Sequence, residues 1–320
     1  MRVMVLGGTG FVGRHAASAL RARGHAVVIG TRRPRRASAK LPPALRDCEL
    51  RETHLESLTT RYVWQPLLGD IDAVVNCAGI LRERGGETYD RVHGMAPRAL
   101  AEACARSGLR LIHVSMLGVR RESRSRLLRS RFAGERSVAA TAADYSIVRP
   151  ALLAGEGGRG ADWLARLARC PIHPVPADAA GRFAALRVED LADALAALCE
   201  IPGTAAPREI ELAGSAPRTL AAHLAALRAL EHERPALRLP VPAPLVRLAC
   251  ELCDLLHVTP LTTGLLDLLR RDSLPRENLL QALIRRAPAP VGRPPRAPRP
   301  AYAFAPMPTG QETPVPPSPQ

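Results

Sequence analysis

The sequence predicts an α/β protein with a doubly wound parallel sheet, a smaller and mostly helical C-terminal region, and a disordered proline-rich tail. Three observations lead to this fold class. Short apolar runs alternate with helical patterns as far as Pro150, as they do in parallel sheets covered by helices. A glycine cluster follows the first run directly. Twelve of the thirty prolines lie after residue 286, in a stretch with almost no apolar periodicity, which is typical of extended or disordered chain.

The elements of the sheet can be assigned in order from these patterns. The predicted strands are the run that begins at Arg2, Ala26–Ile29, a short one near Cys48–Leu50, Ala73–Val75, Leu111–Ser115 and Tyr145–Pro150. A helix after Gly13 should end at Gly24, and a helix from about Asp90 should end at Gly108, because glycine is the preferred residue just past a helix. A third helix is predicted from about Ser125 to Thr141.

The C-terminal half is patterned differently. Residues 1–150 are predicted as one domain, to which 183–213 return, since strand-like Phe183–Val188 and Glu209–Leu212 flank a helical Asp190–Cys199. Residues 151–286 are predicted as a substrate-side region. From Arg218 to Arg286 the pattern is helical with interruptions by proline, and 287–320 form the tail.

Composition limits the class of protein. The 320 residues are 47% hydrophobic, enough for a sizeable core. Seven scattered cysteines, an odd number, argue against a disulfide framework and favour a reducing compartment. Cys250 and Cys253 form a C-x-x-C inside an amphipathic helical pattern, so they indicate helix packing and no metal site is expected.

The net charge of +15 suggests an anionic partner. Aromatic residues make up only 3% of the chain, so there is little to stack on bases, and the composition argues against nucleic acid as a partner. A protein partner or contact with a membrane surface stays open, as does the oligomeric state. No signal peptide or apolar run of membrane-spanning length is found, and we therefore expect a cytoplasmic protein, either free or peripheral at the inner face of a membrane.

The glycine cluster carries the clearest functional signal. Its glycines are spaced G-x-x-G-x-x-G between a strand and a helix, which allows a tight turn, a close approach of backbone N–H groups to a pyrophosphate, and packing of helix on strand. The alternative is a turn without a ligand. The predicted dinucleotide-binding residues here are Gly7, Gly8, Thr9, Gly10, Phe11, Val12 and Gly13.

The residues after the second strand bear on which dinucleotide is bound. Folds specific for NAD usually place an acidic residue here to accept hydrogen bonds from the ribose hydroxyls. This chain has Thr31, Arg32 and Arg33, and guanidinium groups bind a 2′-phosphate that a carboxylate would repel. NADP(H) is therefore favoured and NAD(H) is the alternative, unless the arginines are merely an exposed turn.

Further candidates follow the later strands, because ligands of doubly wound sheets bind at the carboxyl ends of the strands. Asn76, Cys77, Ala78 and Gly79 form the turn after the fourth strand, and Ser115 ends the fifth. Together with the glycine turn and Tyr145–Pro150, these residues resemble an atypical extended short-chain dehydrogenase/reductase with a Rossmann fold. The narrower likeness is to the group of the NADPH-binding accessory subunit of respiratory complex I and its bacterial relatives, carried by Gly79–Asp90, Val188–Ala192 and Pro260–Asp272.

The resemblance implies a cofactor role for Pro150 and a catalytic serine at Ser115. Active members also use a Tyr-x-x-x-Lys, in which the tyrosine transfers the substrate proton and the lysine contacts the ribose. Here these positions are Leu127 and Arg131. Leucine has no proton to give, whereas Arg131 is able to hold a ribose or a phosphate.

Two functions are weighed on this basis, and a nucleic-acid or membrane-surface binder is a weaker third. The favoured one is a protein that holds NADP(H) in a structural, assembly or sensing role. The other is an active NAD(P)-dependent oxidoreductase or epimerase on a small or lipid-like substrate. Its acid or base would then come from elsewhere, the candidates being Glu83, Tyr89, His93 and His113.

Overall fold

The computed structural model describes residues 1–37, 41–256 and 262–293. Its strands are β1 (Arg2–Leu6), β2 (Ala26–Thr31), β3 (Glu49–Glu52), β4 (Ala73–Asn76), β5 (Arg110–Val114), β6 (Tyr145–Pro150), β7 (Leu153–Ala154), β8 (Ile172–Pro176), β9 (Phe183–Ala184), β10 (Leu186–Arg187), β11 (Glu209–Leu212), β12 (Pro217–Arg218) and β13 (Leu237–Val241). Its helices are α1 (Phe11–Ala22), α2 (Pro34–Ala37), α3 (Arg61–Leu68), α4 (Ala96–Ser107), α5 (Arg126–Thr141), α6 (Arg159–Arg169), α7 (Val188–Glu200), α8 (Leu220–Arg228), α9 (Ala243–Leu256), α10 (Thr263–Leu269) and α11 (Leu280–Ile284).

Seven strands form one parallel sheet in the order β3-β2-β1-β4-β5-β6-β11. This is the doubly wound order, in which the crevice at the carboxyl ends lies where the strand order reverses, between β1 and β4. The predicted fold class is confirmed. The turn after β1 consequently opens into this crevice.

The core has two layers because successive side chains of a strand point to opposite faces. Val3 and Val5 of β1 pack with α1 and α7. Met4 and Leu6 pack on the other face with α3 and α4, where Trp64 is fully buried. The sheet is therefore covered on both sides, and its carboxyl edge is the open part.

Helix α4 begins and ends near the predicted residues, with one difference. Asp90–Met95 forms a π-helical turn before α4, and Gly108 ends the helix in the left-handed conformation, at φ 65°. π-Helical turns occur mostly as short insertions in α-helices, often near functional sites. This one carries His93.

The mostly helical C-terminal region also contains a strand pair that the sequence analysis did not predict. β13 lies within the segment predicted as helical and pairs in parallel with β8, which the proline-rich segment from Pro171 to Pro176 forms. The prolines at 235, 240 and 242 interrupt helical periodicity, and the Leu-Arg-Leu sequence at 237–239 has the two-residue period of a strand. The two-stranded ribbon β8–β13 is a finding of the tertiary structure.

The segment between α6 and β11 also departs in detail from its prediction. Phe183–Val188 contains two very short strands, β9 and β10, which pair with β12 and β7 in separate two-stranded sheets. Val188 already begins α7, and β11 pairs with β6 in the main sheet. The division into domains at 150 and 286 stays a prediction.

The start of the predicted tail packs against the folded part of the chain. The Ala289 amide donates to Oδ2 of buried Asp190 at 2.7 Å, and the Arg293 amide donates to the carbonyl of Ala226 at 3.0 Å. The carbonyl of Val291 accepts from Arg218 at 2.6 Å. The backbone groups of Ala289, Val291 and Arg293 thus have hydrogen-bond partners in the folded part of the chain. The rest of the predicted tail, 294–320, lies outside the described residues.

Among the described residues, no helix is both long and apolar enough to span a bilayer.

Candidate functional site

The glycine turn has the geometry of a phosphate-binding turn. Gly7 has a φ of +67°, and its carbonyl accepts the Gly10 amide at 2.8 Å. A Cβ on Gly13 would lie 2.2 Å from that same carbonyl oxygen, so the first turn of α1 rests directly on the loop. Any side chain at 13 would push the helix N-terminus away from the crevice. The N-terminus of α1 is the end that attracts anions.

The end of β2 brings the predicted specificity residues beside this turn. The Thr31 hydroxyl is buried and lies 3.4 Å from that of Thr9. Arg32 forms an ion pair with Glu87, and Arg33 is exposed. Glu87 reaches Arg32 from a tight hairpin in which Arg84 and Glu87 exchange both backbone hydrogen bonds, at 3.1 and 3.0 Å. An acidic residue distant in sequence thus lies against Arg32, one of the two arginines for which contact with a 2′-phosphate is predicted.

The turn after β4 is fixed by the buried amide of Asn76. Its Oδ1 accepts the Ala78 amide at 3.1 Å, and its Nδ2 lies 3.1 Å from Nδ1 of His113 on β5. The Cys77 amide donates to the carbonyl of Leu6 at 3.1 Å, which ties this turn to the end of β1. Burial raises the pKa of the Cys77 thiol to about 12, so it is a neutral packing group.

The turn after β4 carries small residues because the loop after β1 and the Arg131 side chain lie close to it. A Cβ on Gly7 would lie 3.0 Å from Cα of Ala78, so the loops after β1 and β4 touch. A Cβ on Gly79 would lie 2.4 Å from the Arg131 guanidinium. Arg131 on α5 thus lies directly against the turn.

Two buried polar groups at this edge have no hydrogen-bond partner in the described structure: the Ser115 hydroxyl and Nε of Arg131. Ser115 is 5% exposed, just beyond β5. Burial lowers the pKa of Arg131, and none of its nitrogens lies within 4.0 Å of a described carboxylate oxygen. Buried polar groups are almost always satisfied, so unsatisfied ones at a ligand-binding edge indicate a ligand that supplies the partner.

The histidines proposed as alternative acids or bases are neutral and engaged. Nε2 of His93 accepts the Ile80 amide at 3.1 Å, and Nδ1 lies 2.9 Å from the Ser130 hydroxyl, which itself donates to the Leu127 carbonyl. Burial, reinforced by the charge of Arg131, lowers the pKa of His93 to about 2. The same two causes lower the pKa of His113 to about 3. Both side chains serve to position the loop and the strand.

Tyr89 and Glu83 form their hydrogen bonds and ion pair within the loop before the π-helical turn, away from the carboxyl ends of the strands. The Tyr89 hydroxyl donates to the carbonyl of Leu81 at 2.7 Å, and burial raises the pKa of this phenol. Glu83 accepts the Tyr89 amide and lies 3.2 Å from Arg126. These contacts hold the loop that precedes the π-helical turn.

Leu127, which the resemblance places where active members have a tyrosine, is covered by the C-terminal region. It is 4% exposed, and a Cβ on Gly264 would lie 3.3 Å from its Cδ2. Thr262 caps α10 there by accepting the Leu265 amide at 3.1 Å. The position is thus apolar and closed over by α10.

One loop at the site was missed by the sequence reasoning. The segment at 155–158 folds over the start of α1: a Cβ on Gly158 would lie 2.7 Å from the Phe11 ring, and Arg14 donates to the Glu156 carbonyl at 2.7 Å. The glycine-rich run G-E-G-G-R-G was the available signal.

Val12 packs against the main core. The Pro150 carbonyl accepts the Leu117 amide at 2.8 Å, beside the crevice.

Two cavities flank this edge. A polar hollow of about 640 Å³ lies beyond β6 and β11, between Arg149, Glu209 and the segment from Arg271 to Leu279. An apolar cavity of about 210 Å³ lies in the C-terminal region. Its lining includes Leu152, two residues beyond β6, and Leu265 and Leu266 of α10. The helix that covers Leu127 thus also forms a wall of the apolar cavity.

Known proteins resemble this chain over different lengths. The model of the NAD dependent epimerase/dehydratase family matches residues 3–213. A ceramide reductase of Caulobacter vibrioides (strain NA1000 / CB15N) is 36% identical over 201 residues, which are 62% of this chain and 61% of that protein. The match therefore spans less than two thirds of the length of that relative.

Several solved structures have a fold similar to that of this chain. UDP-glucuronic acid 4-epimerase from Bacillus cereus, in complex with NAD, has a TM-score of 0.65 at 16% identity, covering 90% of this chain and 94% of that one. MoeE5, in complex with UDP-glucuronic acid and NAD, has a TM-score of 0.62 at 20% identity, covering 91% and 94%. At such identities the likeness shows the fold alone. The family match covers most of the chain, including the glycine turn and every strand of the main sheet, so the chain belongs to the NAD dependent epimerase/dehydratase family.

Proposed function

We propose that the protein is a dinucleotide-dependent reductase that acts on a carbonyl group of a lipid-like substrate. The observation that carries this proposal is the pair of buried groups at the carboxyl edge of the sheet, Ser115 Oγ and Arg131 Nε, that have no hydrogen-bond partner among the described residues. The apolar cavity beside α10 supports a lipid-like substrate. So does the 36% identity to a protein named ceramide reductase.

The residues present fit a dinucleotide. Gly7 and Gly13 let the loops and the first turn of α1 pack with no side chain between them, and the amides at the start of α1 suit a pyrophosphate. Thr31 and the arginines after β2 suit the adenosine ribose, and the Asn76–Gly79 turn with Arg131 suits the nicotinamide ribose. A bound reduced dinucleotide supplies a hydride to a carbonyl carbon.

The protein's own residues then act on the carbonyl oxygen. The Ser115 hydroxyl donates a hydrogen bond to it, and the buried cation of Arg131 stabilises the negative charge that develops there. Leu127 holds no proton, so the proton that completes the alcohol comes from water, directly or through Ser115. The neutral His93 keeps the Ile80 loop in place and leaves Arg131 as the cation beside Gly79.

A second candidate function is the holding of a dinucleotide without turnover, in a structural, assembly or sensing role. Leu127 favours it, because general acid assistance typically contributes about 10²–10⁴-fold in rate. The resemblance to the NADPH-binding accessory subunit of respiratory complex I belongs to this candidate. A protein partner, a cytoplasmic location and contact with the inner face of a membrane are proposals of the same kind.

NADP(H) is the dinucleotide we propose, with NAD(H) as the alternative. Arg32 is 58% exposed on its side chain and Arg33 is exposed as well, so both can turn toward a 2′-phosphate. Glu87 competes with that phosphate for Arg32. The preference for NADP(H) is accordingly expected to be moderate.

The test is a turnover assay followed by the nicotinamide absorbance. Ketone-bearing long-chain lipids, an oxidised ceramide among them, are offered with NADPH or NADH, and nucleotide sugars are offered in parallel. We expect oxidation of the dinucleotide with a lipid ketone only. Ser115→Ala should lower kcat by about 10²-fold, as for the loss of one oxyanion donor. Ser137→Ala, whose hydroxyl bonds only to its own helix, is the matched control.

Each contrary result points to a definite alternative. Binding of NADPH without turnover of any lipid, joined to a gain of activity in Leu127→Tyr plus Arg131→Lys, would favour the holding role. Turnover of a nucleotide sugar would contradict the lipid-like substrate. A protein that binds neither dinucleotide would contradict both candidate functions.

A further inference from the structure

The outward face of α9 is apolar. Leu245, Leu248 and Leu252 are 58%, 54% and 49% exposed, whereas Val246 and Cys250 are buried against α10. The three leucines recur at intervals of three and four residues, which puts them on one side of the helix. The solvent side of a helix is ordinarily polar, so an apolar one indicates contact with another apolar body.

The ribbon β8–β13 has a matching apolar face. Ile172 lies opposite Leu237 in the register, and the two are 45% and 68% exposed. Leu239, at 50%, shares the face of Leu237 because side chains two apart on a strand point the same way. β13 has β8 as its one strand partner in the described sheets.

The ribbon and the helix meet at the apolar cavity. Pro174 of the ribbon and Leu245 of α9 are both exposed and both line it. Deeper in, the walls are Trp163, Leu167 and Leu220. The cavity therefore borders one leucine surface, which we define by Ile172, Leu237, Leu239, Leu245, Leu248 and Leu252.

The leucine surface belongs to a strongly basic protein, whose whole chain carries a net charge of +15. Exposed Arg247 and exposed Glu251 lie on the same flank of α9, so their charges offset each other beside the leucines. Arg238 is exposed as well, but it alternates with Leu237 and Leu239 and therefore points to the other face of β13. An apolar surface on a protein of this net charge matches an anionic membrane, which offers both acyl chains and negative head groups.

We propose that the leucine surface docks on an anionic lipid bilayer and that the neighbouring cavity receives an acyl chain from it. The docking stands on the surface alone, whereas the acyl chain in the cavity rests on the proposed lipid-like substrate. A long-chain lipid has negligible solubility as a monomer in water. Because the cavity borders the leucine surface, the acyl chain of such a lipid can pass from the bilayer into the cavity of the docked protein without exposure to water.

The experiment is co-sedimentation of the full chain with vesicles of phosphatidylcholine, with or without phosphatidylglycerol, in the absence of dinucleotide. We expect binding to the anionic vesicles that weakens with added salt. Leu248→Glu plus Leu252→Glu should weaken that binding about tenfold or more, since it removes inserted apolar area and adds negative charge. A second variant, Leu237→Asp plus Leu239→Asp, tests the ribbon independently.

The matched control is Tyr62→Glu plus Val63→Glu, which changes two exposed apolar residues of α3 in the same way. It should bind the vesicles like the wild type. A wild type that stays in the supernatant, or leucine variants that sediment equally well, would overturn the proposal. Light scattering that shows a dimer in the wild type and a monomer in the leucine variants would assign the surface to a second copy instead.

Equal binding to vesicles without phosphatidylglycerol would contradict the role given to the net positive charge of the protein. Vesicle binding and dinucleotide turnover are separate readouts. Loss of one without the other therefore distinguishes failure of this inference from failure of the proposed reductase.

Discussion

Arg32 and Glu87 show how one pair of residues changes an inference about specificity. The sequence places arginines where NAD-specific folds have an acidic residue, and this favours NADP(H). The structure supplies a carboxylate at the same place from a hairpin more than fifty residues away, since Arg32 and Glu87 are 55 apart. A 2′-phosphate and Glu87 are thus competitors for one guanidinium.

Substitutions of this pair should shift the NADPH-to-NADH affinity ratio in opposite directions. Arg32→Ala should weaken NADPH binding by about tenfold or more, because a charge-assisted hydrogen bond is worth roughly 1.5–3 kcal/mol. Glu87→Gln should strengthen NADPH binding, because it frees Arg32 and removes a repulsive charge. Titration calorimetry with both dinucleotides measures the ratio.

Arg35→Ala is the matched control, because Arg35 is an exposed arginine of the neighbouring helix α2. It should leave the ratio near that of the wild type. An unchanged ratio in both Arg32→Ala and Glu87→Gln would mean that other residues bind the adenosine part of the dinucleotide.

At the scale of elements, the residues after α11 dock on α7. Asp190 is 1% exposed and accepts the Ala289 amide, while Arg286 pairs with its other oxygen at 2.5 Å. Val291 packs in the cluster formed by α6, α8 and α10. The segment from Ala287 to Arg293 therefore closes over a buried carboxylate and should contribute to stability.

Two truncations separate this segment from the rest of the predicted tail. Removal of 294–320 should leave the melting temperature nearly unchanged, because the sequence there has few apolar residues to bury. Removal of 287–320 should lower it by several degrees, because the Asp190 carboxylate and the Ala226 carbonyl lose partners. Differential scanning calorimetry of both truncations decides the matter. Equal melting temperatures would show that the docked segment contributes little.

For the whole molecule, buried neutral histidines should make stability depend on pH. Burial lowers the pKa of His93 to about 2, of His113 to about 3 and of His223 to about 4. In the unfolded chain each has a pKa near 6.5. The unfolded state therefore binds protons first as pH falls. The stabilising effect of the neutral histidines is complete above pH about 6.5 and declines below it.

We expect the free energy of unfolding to fall between pH 7 and pH 5. Each histidine adds a limiting slope of about 1.4 kcal/mol per pH unit. Urea unfolding across this range measures the slope of the free energy of unfolding against pH. His223→Gln should reduce that slope by about 1.4 kcal/mol per pH unit, because one fewer proton is taken up on unfolding. His54→Gln should not reduce it, because His54 lies beside Glu52 and Glu56, which raise its pKa. A pH-independent free energy over this range would contradict the prediction.

The sequence by itself determined the parallel sheet and the glycine turn. Both depend on local patterns: the period of apolar residues sets strand or helix, and a positive φ or a close backbone approach demands glycine at Gly7 and Gly13. Ser115 and Asn76 could be located for the same reason, because a parallel strand delivers its carboxyl end to a common edge. The roles expected of Leu127 and Arg131 came from the resemblance, which places them where active members have a tyrosine and a lysine.

Only the tertiary structure decided which partners those residues meet. Glu87 beside Arg32, α10 over Leu127 and the ribbon β8–β13 each join segments far apart in the chain. No local pattern encodes such contacts, since they depend on how whole elements pack. The unpaired state of the Ser115 hydroxyl and of Nε of Arg131 is likewise a property of the assembled edge, where the described residues provide neither atom with a hydrogen-bond partner.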